Sequence, residues 1–166
     1  MSERDEEFIE FVQRHSLPLR RMALLMCGDW HRAEDLVQTT LIKLFRVWSR
    51  VRDLEHREAY ARRTLMRTAI DESRLFWRRE RTAGTVPDQP ATEVDSGLAI
   101  DLRRALAKLP VRQRATVVLR HWEDLPVPQV AKLLNCTEGT VKSQSAKALA
   151  ALRTMIGSER LLEGYQ

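Results

Sequence analysis

Cys27 and His31 stand four residues apart, the spacing at which one helix face presents two metal-ligating atoms. Two ligands do not complete a zinc site, and His15, His56 and His121 are scattered along the chain. Cys27 is therefore expected to pack as a small apolar residue. Glu34 with Asp35, and Asp71 with Glu72, could suggest a general acid and base. Adjacent residues on a helix point about 100° apart, so neither pair converges on one reacting atom. There is no glycine-rich phosphate loop, serine nucleophile elbow or paired-metal spacing. Metal, cofactor and enzymatic chemistry are accordingly not expected.

The chemistry that remains is recognition. Arg63, Arg67, Arg74, Arg78 and Arg81 recur at helical offsets and fall within about a 60° sector. Tyr60, Phe76 and Trp77 lie close by. Arginines track phosphates, and aromatic rings give bases a surface to stack on. The plainer reading is a solvated face whose arginines pair with Glu58, Asp71, Glu72 and Glu80. A second cluster, Glu138, Lys142, Ser143 and Lys147, has side chains suited to base edges and phosphates in a major groove.

These residues need helices to carry them. Phe8, Phe11 and Val12, then Met22, Leu25 and Met26, indicate amphipathic helices broken near Ser16–Pro18. After Gly28, the residues Ala33, Leu36, Val37, Thr40, Leu41, Leu44, Phe45 and Trp48 form one buried stripe. The opposite side displays Asp35, Gln38, Thr39, Ile42 and Arg46. Ile42 is an apolar residue on a polar face, the pattern of a docking patch or of an ordinary isolated surface apolar. A polar break at Ser49–Glu58 precedes a long helix from about Ala59 to Glu80. Its inner face is expected from Ala59, Met66, Ala69, Ile70, Ser73 and Trp77.

Farther on, Leu98–Leu109 predicts a helix stopped by Pro110, and Arg112–Trp122 predicts another. Val127–Leu134, a turn at Asn135–Cys136 and a helix from Glu138 to about Ile156 have helix-turn-helix spacing. Ala131 is small where the two helices would cross. Asn135 tolerates the left-handed turn. Thr137 is a good N-cap, with Thr140 in the first turn, and Val141 would seat the second helix on the first. Ala148, Leu149, Leu152 and Ile156 continue the inner face. An ordinary capped helical hairpin would share these features.

Composition agrees with a helical protein that meets a polyanion. The chain has 166 residues, 43% of them hydrophobic, only six Gly and six Pro, and a net charge of +5. The two cysteines exclude a disulfide framework. The acidic start, with Glu3, Asp5, Glu6, Glu7 and Glu10, does not read as a signal peptide, and the longest apolar run, Met22–Cys27, cannot span a bilayer. A cytoplasmic protein is expected, without membrane insertion. Residues 82–97 carry Asp88, Glu93 and Asp95 and no base. The expected architecture is all-α: two small helical domains, 1–81 and 98–160, joined by an acidic linker at 82–97 and followed by a tail at 161–166.

The segment Ala33-Glu34-Asp35-Leu36-Val37-Gln38 and its helix resemble the second conserved domain of bacterial sigma factors. Leu125–Leu152, with Cys136-Thr137-Glu138-Gly139-Thr140-Val141-Lys142-Ser143, resembles their fourth. Two domains without a third resemble the extracytoplasmic-function group, and Tyr60-Ala61-Arg62-Arg63 is most similar to its actinobacterial sigma-E-like branch. The resemblance implies that Asp35, Gln38, Thr39 and Ile42 bind the clamp helices of the large subunit of core RNA polymerase. It implies that the Val51–His56 loop and Arg63, Arg67, Arg74, Trp77 and Arg78 recognise and melt the minus-ten element, holding a flipped base in a pocket. Thr137, Glu138, Thr140, Lys142, Ser143 and Lys147 would meet the minus-thirty-five element, and the rest of that domain the polymerase flap. The linker would thread into the polymerase channels. Many relatives are held by an anti-sigma factor, which here would wedge between the domains or cover Asp35 and the recognition helix.

The chain departs from the family pattern at three places. Arg67 stands where many members carry Asn, Gln144 where Arg is frequent, and Ser145 where a branched apolar residue is usual. A hydroxyl buried at 145 without a partner would cost about 1–3 kcal/mol. A different reading is a polymerase-independent helix-turn-helix regulator with a helical N-terminal sensing or dimerising domain, binding duplex DNA as a dimer. A third is an adaptor that binds only protein. Neither needs the Asp35/Gln38/Ile42 face together with an arginine stripe on the next helix.

Overall fold

A computed structural model describes residues 1–51, 53–83 and 97–157, with side chains through 75 before the gap and from 100 after it. Arg52, most of the expected linker and the tail lie outside the described residues, as do the side chains of Phe76, Trp77, Arg78 and Arg81. Every regular element among the described residues is helical. The chain divides into two compact units, Met1–Glu72 and Ser73–Gln166.

The first unit opens with α1, Glu3–Cys27, started by a capping box in which Ser2 and Asp5 bond each other's backbone N–H groups. The helix is continuous through Pro18, so the expected break near Ser16–Pro18 does not occur. Pro18 deprives the Arg14 carbonyl of its donor, a cost of about 3 kcal/mol in a helix interior. Burial of Phe11, Leu19, Met22, Ala23 and Met26 on both sides of it outweighs that cost, since each large apolar side chain contributes about 1.5–3 kcal/mol. The proline ring itself faces solvent. Pro18→Ala is therefore expected to raise stability by about 1–2 kcal/mol in urea denaturation. A lower midpoint would mean that the ring packs rather than breaks.

Gly28, at φ +71, ends α1 by donating to the Leu24 carbonyl at 2.8 Å, and Asp29 caps α2, Trp30–Val47, by accepting from His31 N. This left-handed corner puts Cys27 and His31 on different helices, so they form no i, i+4 pair. Cys27 donates to the Ala23 carbonyl at 3.0 Å, and burial pushes its thiol up from the ordinary range.

In α2 the expected stripe is buried at Ala33, Leu36, Val37, Thr40, Leu44 and Trp48, while Leu41 is half-buried. Thr40 satisfies its buried hydroxyl on the Leu36 carbonyl at 2.8 Å. Phe45 is partly exposed, with Phe8 edge-on at 4.8 Å and Arg4 over its ring. Trp48 is the aromatic centre, met edge-on by Phe8 and Phe11 and covered by the Arg57 guanidinium at 3.7 Å.

Helix α3 runs Leu54–Ala83, so it starts one turn before the expected Ala59, and Leu54–His56 of the expected loop is helical. The cause is Asp53, whose carboxylate accepts from His56 N at 2.8 Å as an N-cap. The buried face of α3 is Ala61, Leu65, Met66, Thr68, Ala69 and Ile70. Ala61 and Leu65 belong to it unexpectedly, whereas Ala59 and Ser73 are only half-buried and Trp77 is outside the described side chains.

Beyond the gap lie α4, Gly97–Lys108, and α5, Val111–Val117, which continues as a π-helical turn over Val118–Trp122. Then come α6, Val127–Leu134, and α7, Glu138–Ile156. Helices α4, α5 and α6 all pack on α7. Arg114 is buried and donates to the carbonyls of Leu106, Ala107 and Leu109 at 2.7, 3.1 and 3.0 Å, closing the C-terminus of α4. A cation suits that negative helix end.

Candidate functional site

Helix α2 has two faces set by its 3.6-residue period. The side opposite the core stripe exposes Asp35, Gln38 and Ile42, with Thr39 half-buried. Ile42 is 56% exposed, which makes it an apolar residue in water beside polar neighbours. Lys43 next to it reaches α3 and donates to Thr68 Oγ1 at 3.3 Å, a contact between residues far apart in sequence that periodicity does not reveal.

On α3, Arg63, Arg67 and Arg74 are exposed and fall within about 40° of one another by the helix period. Among the described residues none of the three forms an ion pair with Glu58, Asp71 or Glu72. Glu58 is turned instead towards α1, where its carboxylate meets His15 Nε2 at 2.8 Å. These guanidinium groups are therefore available to an external anion. Leu75, 56% exposed, is an apolar neighbour that the sequence reading passed over; its signal is an apolar residue outside the inner face.

In the second unit the α6–α7 corner is built as its residues require. Asn135 adopts φ 54°, ψ 54°, and the Cys136 N–H returns to the Ala131 carbonyl at 3.0 Å. Arg112 donates to the Leu134 carbonyl at 2.7 Å, satisfying another group at the end of α6. Thr137 caps α7 by accepting from Thr140 N at 3.1 Å. Val141, Ala148 and Leu152 are buried, and Ala131 is buried at the crossing. Thr137, Glu138, Thr140, Lys142, Ser143 and Lys147 are all exposed, gathered at and after the N-terminus of α7. Free N–H groups and lysines there make an anion-attracting surface on a helix narrow enough for a major groove.

Ser145 is half-buried, and its Oγ lies 3.4 Å from His121 Nε2, so its hydroxyl has a partner. Burial, and then the adjacent Arg120 charge, holds His121 below the usual histidine range, which keeps a ring nitrogen free to accept. The π-helical turn is what brings His121 to this position, and it leaves Trp122 52% exposed. Among the described residues, Gln144 Oε1 is buried and has no hydrogen-bond partner.

No helix among the described residues is long and apolar enough to cross a membrane. Among the described residues no group of three or more His, Cys, Asp or Glu could hold a metal ion.

Residues 11–82 match the sigma-70 region 2 family, and residues 99–152 match sigma-70 region 4. The RNA polymerase sigma-E factor of Streptomyces avermitilis is 34% identical, over 93% of this chain and 88% of its own. That of Streptomyces coelicolor is 36% identical, over 89% and 84%. The solved structure of the sigma factor RpoE of Bartonella quintana, in complex with the anti-sigma factor NepR, shares the fold. Its TM-score is 0.74 at 23% identity, covering 92% of this chain and 98% of that one.

Proposed function

This chain belongs to the sigma-70 family, as an extracytoplasmic-function sigma factor related to the actinobacterial sigma-E factors, and from that premise we propose how its surfaces divide the work. As a sigma factor it binds core RNA polymerase and promoter DNA and directs promoter recognition and transcription initiation. The exposed Asp35, Gln38, Thr39 and Ile42 face docks on the clamp helices of the large subunit. Arg63, Arg67 and Arg74, with Trp77 and Arg78 farther along α3, engage the minus-ten element and hold the melted strand. Thr137, Glu138, Thr140, Lys142, Ser143 and Lys147 engage the minus-thirty-five element. The domains are 1–81 and 98–160, with the acidic segment 82–97 between them lying in the polymerase channels and 161–166 as a tail.

One observation supports this reading above the others: exposed arginines on α3 and an exposed, capped α7 face occur on one chain that also exposes Ile42. A duplex-binding regulator needs only the second surface. The chain performs no chemistry itself, since the polymerase makes the phosphodiester bonds. It works in the cytoplasm, where polymerase and promoters are. An anti-sigma factor covering Asp35 and the recognition helix would silence it.

Reconstitution tests the whole reading. Purified chain, bacterial core polymerase and fragmented genomic DNA are combined, and transcript 5′ ends are sequenced. Discrete starts with a shared pair of upstream elements, absent without the chain, are expected. Sequence-specific duplex binding by the chain alone, with no chain-dependent starts, would replace this reading with the polymerase-independent regulator. Within the same system, Lys142→Ala is expected to weaken promoter binding and reduce the magnitude of the salt slope by about one. Core affinity should not change. An unchanged salt slope would remove Lys142 from the DNA surface.

A further inference from the structure

Helix α7 carries a glycine that nothing inside its own unit requires. Gly28 and Gly157 take φ of +71° and +83°, conformations that favour glycine, and each stands at the end of a helix. Gly139 is different. It is the second residue of α7 and its φ is not positive, so any L-residue fits the backbone there. A Cβ built at 139 would meet Thr137 Oγ1 at 3.9 Å, which is ordinary van der Waals contact. Among the described residues nothing else beyond the local backbone comes within 4 Å of it. The helix cap does not use this open space. Thr137 accepts from the Thr140 N–H at 3.1 Å, and the two hydroxyl oxygens lie 2.9 Å apart. Glycine also weakens a helix relative to alanine, because it gives up more chain entropy and packs nothing.

The bare position lies on the outward face of the recognition helix. Glu138, Gly139, Thr140, Lys142 and Ser143 are all exposed, while Val141 is buried and seats the helix on its own unit. Ser143 stands one turn beyond Gly139 on the same side, with Lys142 beside it. In a helix-turn-helix the N-terminal residues of the second helix meet the base edges. A helix with its side chains is about 10–12 Å across and the major groove about 12 Å wide. How deeply the helix enters therefore depends on what its groove-facing first turn carries.

We propose that Gly139 is a specificity-determining residue: its bare backbone packs against a base-pair edge of the minus-thirty-five element and sets the depth at which Lys142 and Ser143 reach their bases. This rests on the reading of α7 as the minus-thirty-five surface. The helix propensity lost at 139 is offset in the complex, where the backbone comes closer to the bases. A side chain at 139 would hold the helix off the groove floor and lengthen the contacts of Lys142 and Ser143 together. A hydrogen bond needs about 2.7–3.2 Å, whereas attraction to phosphates extends over a Debye length of about 8–10 Å. Sequence-specific binding is thus lost while non-specific binding is kept.

The test uses the full chain assembled with core polymerase. One DNA fragment carries a promoter recovered in the reconstitution, and a second carries it with the upstream of its two elements scrambled. Gly139→Ala is expected to lower affinity for the intact promoter roughly tenfold, the scale of one mismatched base pair, and to leave the scrambled fragment unchanged. Gly139→Leu is expected to lose more, because its side chain reaches farther. In the free chain both variants should keep wild-type helicity, and the urea midpoint of Gly139→Ala should lie at or above that of the wild type. Unchanged promoter affinity in Gly139→Ala, or an equal loss on both fragments, overturns the proposal. So does a lower urea midpoint, which would make the glycine a requirement of the fold. A reconstitution that yields no promoter, or a wild-type holoenzyme that does not distinguish the two fragments, overturns the reading of α7 itself and the role of Gly139 with it. That failure shows in the wild type, whereas failure of the proposal alone shows only in the variants.

Discussion

Alanine at both Asp35 and Gln38 is expected to lower affinity for core polymerase by roughly 30- to 1,000-fold, the loss of about 2–4 kcal/mol seen when two interface anchors are truncated. Both side chains lie off the buried stripe of α2, whose core contacts come from Ala33, Leu36, Val37, Thr40 and Leu44. Removing them therefore leaves the first unit's packing untouched, and helical circular dichroism and the urea midpoint should match the wild type. Exposed substitutions away from caps and cores usually change stability by less than about 0.5 kcal/mol. Core affinity is measured by competition with a labelled wild-type chain. Wild-type affinity in the double variant would move the polymerase surface elsewhere. Loss of helicity would mean that the two faces of α2 have been assigned the wrong way round.

The second large effect is on folding. Arg114→Ala is expected to destabilise the second unit by about 3–5 kcal/mol. Arg114 is 7% exposed and its guanidinium serves three carbonyls at the end of α4, so truncation strips donors from Leu106, Ala107 and Leu109 and opens a cavity behind them. Arg114→Lys retains the charge, but its three N–H donors sit on one nitrogen and cannot span carbonyls that the guanidinium serves from two, so its loss should be intermediate. Denaturant titrations followed by circular dichroism measure both. A change below about 1 kcal/mol in the alanine variant would show that water replaces the guanidinium at those carbonyls. Because α4 packs on α7, the same variant should also weaken minus-thirty-five binding, whereas Lys142→Ala weakens it without changing stability.

What was legible in the sequence was what repeats locally. The stripe from Ala33 to Trp48 and the exposed position of Ile42 follow from a 3.6-residue period alone. The α6–α7 corner was equally readable, because Asn135 and Thr137 act on backbone atoms a few residues away. Local rules misled where distant burial outweighed them. Pro18 reads as a break, yet the stripe from Phe11 to Met26 holds α1 together across it. Asp53 was a usable start signal for α3 that the polar character of its surroundings concealed.

The sequence alone thus determined the all-helical class, the two faces of α2, the α6–α7 corner and the family, because side-chain period, caps and motif spacing are properties of neighbouring residues. Only the tertiary structure decided which charges remain free and which are used. Glu58 could have paired with an arginine on its own helix, but packing of α1 against α3 gives it to His15 across 43 residues. Ser145 could have been a buried hydroxyl without a partner, but the π-helical turn after α5 brings His121 to it. Such pairings depend on where two helices cross, and a crossing is set by the whole core rather than by the residues that meet there.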